Sequence, residues 1–127
     1  MVSHVAMADA LFGAFEQGDA DSVRAVCTED LEARQNLGPA MSREALIRFA
    51  LAVCRVVPDF HYEARRCAAI DNGFVEEHLV CGTLPDGGEL RLAACVVADV
   101  RDGRIVGMRE YVDSAAAAGL LAALSAR

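Results

Sequence analysis

Apolar residues recur at helical spacing from the start of the chain: Val5, Ala8, Leu11, Phe12 and Phe15, with Gly18 as a stop. Asp19 is placed to cap a second short helix whose buried stripe is Val23, Val26 and Cys27. Residues 30–36 read as a short strand, followed by a loop through Gly38-Pro39. Ser42 then opens the clearest helix. Its apolar positions Leu46, Phe49, Ala50, Val53, Cys54 and Val57 follow the i, i+3, i+4, i+7 rule, and Pro58 ends it. From Phe60 onward the period changes to two, with Phe60, Tyr62 and Ala64 alternating with His61, Glu63 and Arg65. Asp71-Asn72-Gly73 is a tight-turn signal, because Asn-Gly tolerates the positive φ angles of two-residue hairpins. Residues 85–88 and Asp102-Gly103 mark two more reversals, and an alanine-rich tail with Leu120, Leu121 and Leu124 reads as a closing helix despite Gly119. Helices first and then a four-stranded meander predict one α+β domain over residues 1–127. Three N-terminal helices would pack on the concave face of a curved, cone-shaped antiparallel sheet, with a short C-terminal helix after it.

Two strands of this meander carry one carboxylate each on an otherwise apolar face. Over residues 103–113 that face is Val106, Met108, Glu110 and Val112, and over 73–83 it is Val75, Glu77, Leu79 and Cys81. A carboxylate buried without a partner is costly, so it pairs, meets water in a cavity, or shifts its pKa upward. A pocket with acid–base chemistry is the sharpest expectation, with Glu110 as general base. Glu77 would assist, since two close carboxylates do not both ionise and one can serve as acid. A one-residue slip would turn Glu77 to solvent and bring in His78 instead. Arg34 and Asn36 share a face of the short strand with Glu32; Arg34 would bind an anionic group or balance Glu110, and Asn36 would orient water or a carbonyl. Phe49, Val53, Met41, Ala94, Val96 and Ala98 are the expected walls. The structural alternative stays open for each polar residue: Glu110 sealed against Arg34 or another arginine, Glu77, Arg34 and His78 in solvated faces.

Charge narrows the field of partners. A formal net charge of −7 provides no basic face for phosphate contacts, so nucleic acid is not expected. No apolar run approaches membrane-spanning length and the start lacks signal-peptide character, so no membrane association is expected. The five cysteines, Cys27, Cys54, Cys67, Cys81 and Cys95, are odd in number and form no Cys-x-x-Cys pair. They are expected as reduced, metal-free core thiols of a cytoplasmic protein. No Gly-rich phosphate loop, His-x-x-x-His spacing or nucleophile elbow occurs, so any catalysis is expected to need no cofactor. On the outer sheet face, Ala93, Cys95, Val97, Ile105 and Tyr111 form an apolar patch rimmed by Arg91, Asp99, Arg109 and Asp113. That patch predicts a homodimer.

The element order, together with Phe60-His61-Tyr62, Asn72-Gly73, residues 86–92 and residues 102–113, resembles a SnoaL-like domain. Such domains belong to the superfamily named after nuclear transport factor 2, with ketosteroid isomerase, scytalone dehydratase and limonene-1,2-epoxide hydrolase. The epoxide hydrolases use an Asp-Arg-Asp constellation with a tyrosine and an asparagine that hold water. Their terminal Arg-Asp-Tyr-Phe-Asp is similar to Arg109-Glu110-Tyr111-Val112-Asp113, which implies that Glu110 stands at a catalytic carboxylate position. Their Tyr-Gln-Asn is similar to Arg34-Gln35-Asn36, keeping the asparagine and losing the tyrosine. The remaining arginine and aspartate fall at Glu77 and Leu79, or at His78 and Val80 after a slip, and neither register restores the constellation. The resemblance therefore implies a pocket carboxylate rather than epoxide hydrolysis by that mechanism. Two functions follow: an isomerase, cyclase, dehydratase or hydrolase acting on a small, largely apolar molecule, or a non-catalytic ligand-binding or dimerisation module.

Overall fold

The computed structural model describes residues 2–126. Helix α1 (His4–Gln17) begins where Ser3 accepts a hydrogen bond from the Ala6 N–H, and ends at Gly18. Gly18 has φ 62°, and from there the Gly18 and Asp19 N–H groups turn back to the Phe15 and Ala14 carbonyls. Only glycine adopts that left-handed conformation without steric cost. Asp19 caps α2 (Ala20–Val26) as expected. The helical stripe stops one residue early, because Cys27 opens strand β1 (Cys27–Gln35), which starts before the expected position 30. Ser42 caps α3 (Arg43–Val56), and Val57 closes it ahead of Pro58. Strands β2 (His61–Ile70), β3 (Gly73–Thr83), β4 (Glu89–Arg101) and β5 (Arg104–Val112) follow, then α4 (Ala118–Ser125).

The predicted meander is present, and a fifth strand extends it. Sheet order is β1-β5-β4-β3-β2, antiparallel except for β1, which runs parallel to β5. The result is a mixed, open sheet with helices over one face. Leu11, Phe12, Ile47, Phe74, Val96, Ala98, Ile105 and Met108 form its main core. Val53, Val57, Val80, Leu92 and Leu120 form a second core beneath α3 and α4. Burying each large side chain contributes about 1.5–3 kcal/mol.

The turns separate two uses of glycine. Asp102 and Gly103 both take positive φ, 53° and 77°, joining the paired Arg101 and Arg104 as a two-residue hairpin. At the Ile70–Gly73 reversal the expectation of positive φ fails, since neither Asn72 nor Gly73 adopts it. Gly73 is required there for space: a Cβ would stand 1.8 Å from the Ala98 carbonyl oxygen.

Three local features redirect side chains away from simple alternation. In β2 the register shifts between Glu63 and Arg66, and Ala64 sits at φ 54°. This bulge keeps Tyr62 on the inner face and swings Arg65 inward too, where alternation placed it outside. In β5 a shift opposite Asp99 and Val100 sends Ile105 into the core, fully buried, and removes it from the expected outer patch. In β3 the inner residues are Phe74, Glu76, His78 and Val80, so the expected inner set of Val75, Glu77, Leu79 and Cys81 faces outward.

Candidate active site

A cavity of about 420 Å³ opens between α3, α4 and the inner face of the sheet. Its walls are mainly apolar: Phe12, Phe15, Phe49, Phe60, Met41 and Leu92 are among them. Of the expected walls, Phe49, Val53, Met41 and Val96 line it, whereas Ala94 and Ala98 are buried in the core away from it. Glu110 lines the cavity, as both the face argument and the family resemblance anticipate.

Glu110 is not sealed against an arginine. Its partner is Gln35, whose Nε2 donates to Oε1 at 2.7 Å. The pairing follows from register: Gln35 and Glu110 are opposite residues of the parallel β1–β5 ladder, and the Asn36 N–H is bonded to the Glu110 carbonyl at 2.8 Å. Among the described residues no basic side chain forms an ion pair with Glu110, and Oε2 has no protein hydrogen bond. A carboxylate with one oxygen held by a neutral amide and the other unpartnered is directed without being neutralised.

Tyr62 is a further polar group in the wall. Burial, and next the negative charge of Glu110, push its phenol well above the usual tyrosine range. It is therefore an O–H donor at any physiological pH, and its hydroxyl has no hydrogen-bond partner among the described residues. Its ring packs on Phe12, Phe60 and His78, at centroid distances of 5.3, 5.1 and 4.4 Å.

Behind this aromatic wall lies a buried polar chain. Glu76, at 0% exposure, accepts from Arg65 through Nε and Nη2 at 2.9 Å each, and its Oε2 is 2.6 Å from His78 Nδ1. Arg65 also reaches Asp9 at 2.9 Å. Burial alone would raise the Glu76 carboxyl, but the bonds from His78 and Arg65 outweigh it and hold the group below the usual glutamate range. With Glu76 ionised, Nδ1 carries the hydrogen, and Nε2 of His78 is buried without a partner among the described residues.

The other expected site residues lie elsewhere. Glu77 faces solvent on the outer side of β3, 3.6 Å from Arg66, with 61% of its side chain exposed. Asn36 is exposed and ties strand ends together: its Oδ1 accepts from the Val112 N–H, and its Nδ2 donates to Ser114 Oγ. Arg34 stands at the cavity rim, where it donates to the Gly38 carbonyl at 2.9 Å and approaches Glu32 at 3.6 Å. Gln35 and Tyr62 are the polar wall residues that the sequence reading passed over. The alternation Leu31, Ala33, Gln35 carried the signal for the first, since it puts Gln35 on the apolar side of its strand.

Comparison with solved structures places this architecture among known ones. IdmH of Streptomyces antibioticus, a candidate polyketide cyclase, matches with TM-score 0.81 at 19% identity, over 98% of this chain and 99% of that one. A candidate polyketide cyclase of Xanthomonas campestris matches at 0.78 and 25% identity, over 88% and 91%. A candidate isomerase of Bacillus subtilis gives 0.77 at 16% identity, over 92% and 91%. No curated protein matches the sequence. The sequence model of the SnoaL-like domain matches residues 8–108, most of the helical layer and all but the end of the sheet. The chain belongs to the SnoaL-like domain family.

Proposed function

We propose that the protein is a cofactor-independent enzyme that moves a proton on a small, largely apolar molecule, as an isomerase, cyclase, dehydratase or hydrolase. The observation that carries this reading is the unneutralised Glu110 carboxylate in an apolar cavity, oriented by Gln35. Gln35 fixes Oε1, so Oε2 is the basic atom presented to a substrate C–H or to a water. As the proton leaves carbon, negative charge develops on the conjugated carbonyl oxygen. The Tyr62 hydroxyl, kept protonated by burial and by Glu110, is the donor available to receive that charge. Arg34 at the rim suits an anionic substituent that stays near solvent. Glu77 and Asn36 have no part, because neither lines the cavity. Similarity to proteins described as candidate cyclases and an isomerase supports small-molecule chemistry of this kind. Five unpaired cysteines fit a reducing compartment such as the cytoplasm.

The test is solvent deuterium exchange, followed by NMR, into a panel of cyclic ketones and 1,3-dicarbonyl compounds. Exchange faster than in buffer is expected for at least one compound. It should be lost in Ala50→Phe, which fills the cavity from α3. Binding with no exchange by any compound would favour the non-catalytic ligand-binding module, for which the mostly apolar walls are the supporting observation.

A further inference from the structure

On the outer side of the sheet, opposite the cavity face, a nitrogen, an oxygen and a sulfur converge from two strands. His61 and Glu63 are two residues apart on β2 and so share a face, and Cys81 of β3 is the cross-strand partner of His61. One ligand atom from each lies within 4.8 Å of the others. A tetrahedral ion with bonds of about 2.0–2.3 Å separates its ligand atoms by roughly 3.3–3.6 Å, so the three need only small side-chain adjustments to share one.

Hydrogen bonding fixes the state of the ring. His61 Nδ1 is 2.7 Å from the Asp59 carbonyl oxygen, which can only accept, so Nδ1 carries a hydrogen. The Asp59 side chain is itself anchored by the Thr83 N–H and hydroxyl, both at 2.8 Å. In the neutral ring this leaves Nε2 as a bare lone pair facing Glu63 Oε2 at 2.8 Å, one acceptor against another. That contact requires a cation between the two atoms, either a second proton on the ring or a metal ion. A ring held at one nitrogen by a backbone carbonyl and free at the other is the arrangement by which proteins orient a histidine ligand.

We propose that His61, Glu63 and Cys81 form a binding site for a zinc-class divalent transition-metal ion, with water as the fourth ligand. An imidazole, a carboxylate and a thiolate are the donor types that zinc accepts, and hard cations such as magnesium disfavour the sulfur. Binding releases the thiol proton of Cys81 and, where present, the second ring proton of His61. Asp59 and Glu63 favour the charged ring, while burial raises the Cys81 thiol, with Glu63 and Glu89 adding to it and Arg91 opposing. Proton and metal therefore compete, and affinity rises with pH. Arg91, 3.4 Å from Glu63 and 3.8 Å from Cys81 Sγ, is the group a metal would displace; half exposed, it has solvent to swing into. The site faces away from Phe60 and Tyr62, so the ion would act as a clamp on the β2–β3 pair that carries the aromatic wall, separate from Glu110. Spacing along the chain does not show it, because the ligands meet only through strand pairing, and the expectation of five metal-free thiols is its direct competitor.

The test is titration of the reduced protein with cobalt(II), followed by zinc competition against a chromophoric chelator. One equivalent should bind, with a near-ultraviolet thiolate-to-cobalt band and the intense visible bands of tetrahedral cobalt. Cys81→Ser should remove the thiolate band. His61→Gln and Glu63→Gln should each weaken zinc binding at least about tenfold, and Cys95→Ser, on the same face outside the cluster, should leave zinc affinity and the thiolate band unchanged. Zinc should also raise the melting temperature of the wild type more than that of Glu63→Gln at the same concentration, a readout that stands even if Cys81→Ser folds poorly. Absence of stoichiometric uptake, or a thiolate band that survives Cys81→Ser, would overturn the proposal.

Discussion

Replacing Glu76 by glutamine tests the buried polar chain behind the cavity wall. Three charge-assisted hydrogen bonds converge on this fully buried carboxylate, two from Arg65 and one from His78. The amide keeps the shape and can accept from Arg65, but its NH₂ must then face the ring nitrogen or the guanidinium. Between one and two charge-assisted bonds are lost, at about 1.5–3 kcal/mol each. The share of Arg65 is discounted, because its side chain is 30% exposed and keeps Asp9. A net loss of about 3 kcal/mol at pH 7 follows, a large part of the 5–15 kcal/mol typical of a domain. With a urea slope of about 1.5 kcal/mol per molar, the unfolding midpoint should fall by about 2 M. The loss should also depend on pH. The folded carboxyl titrates below the ordinary 4.5, so its stabilisation is fully present above that value and drains away as pH falls through the folded pKa. The gap between wild type and Glu76→Gln should therefore narrow below about pH 4.5. A midpoint change under about 0.5 M, or a gap that is the same at acid and neutral pH, would refute the reasoning.

Three further outcomes are expected. Gly73→Ala should destabilise the fold by more than about 2 kcal/mol, read by thermal unfolding, since its Cβ would stand 1.8 Å from the Ala98 oxygen; an unchanged melting temperature would contradict that close approach. All five cysteines should titrate under denaturing, non-reducing conditions with chelator present, and in the native state Cys27, pushed up to about 12 by burial, should react last. We also propose a homodimer through the outer sheet face, where Ala93, Cys95, Val97 and Tyr111 remain of the expected patch after the loss of Ile105 and Leu79 of β3 joins them beside Ala93. Sedimentation at micromolar concentration should give twice the chain mass, and a monomer would remove that interface.

The helices were legible because their signals are local. Ser42, the apolar stripe of α3 and Pro58 specify an element with no reference to the rest of the chain. The Asp102-Gly103 hairpin was legible for the same reason, and beyond the β5 shift the alternation of Met108, Glu110 and Val112 put Glu110 inside. The face of β3 was not. Val75, Leu79 and Cys81 are more apolar than the residues that point inward, and nothing local reveals that Glu76, His78 and Arg65 satisfy one another when buried. Arg65 joins them only through the bulge at Ala64, and Ile105 enters the core only through the shift in β5. Each shift inserts a single residue and exchanges the two faces beyond it. Gln35 meets Glu110 through a parallel pairing that the meander pattern did not include, so a family resemblance noted the residue without assigning it a contact.

The central claim is that Glu110 is the base, and the most direct measurement is the exchange rate of a responsive ketone with wild type and with Glu110→Gln. Glutamine preserves size and can still accept from Gln35, so circular dichroism and melting temperature should hold. The basic oxygen is gone, so the rate should fall by about 10²–10⁴-fold, while ketone affinity stays within a few-fold. A Glu110→Gln protein that folds, binds the ketone and exchanges it at the wild-type rate would contradict the assignment.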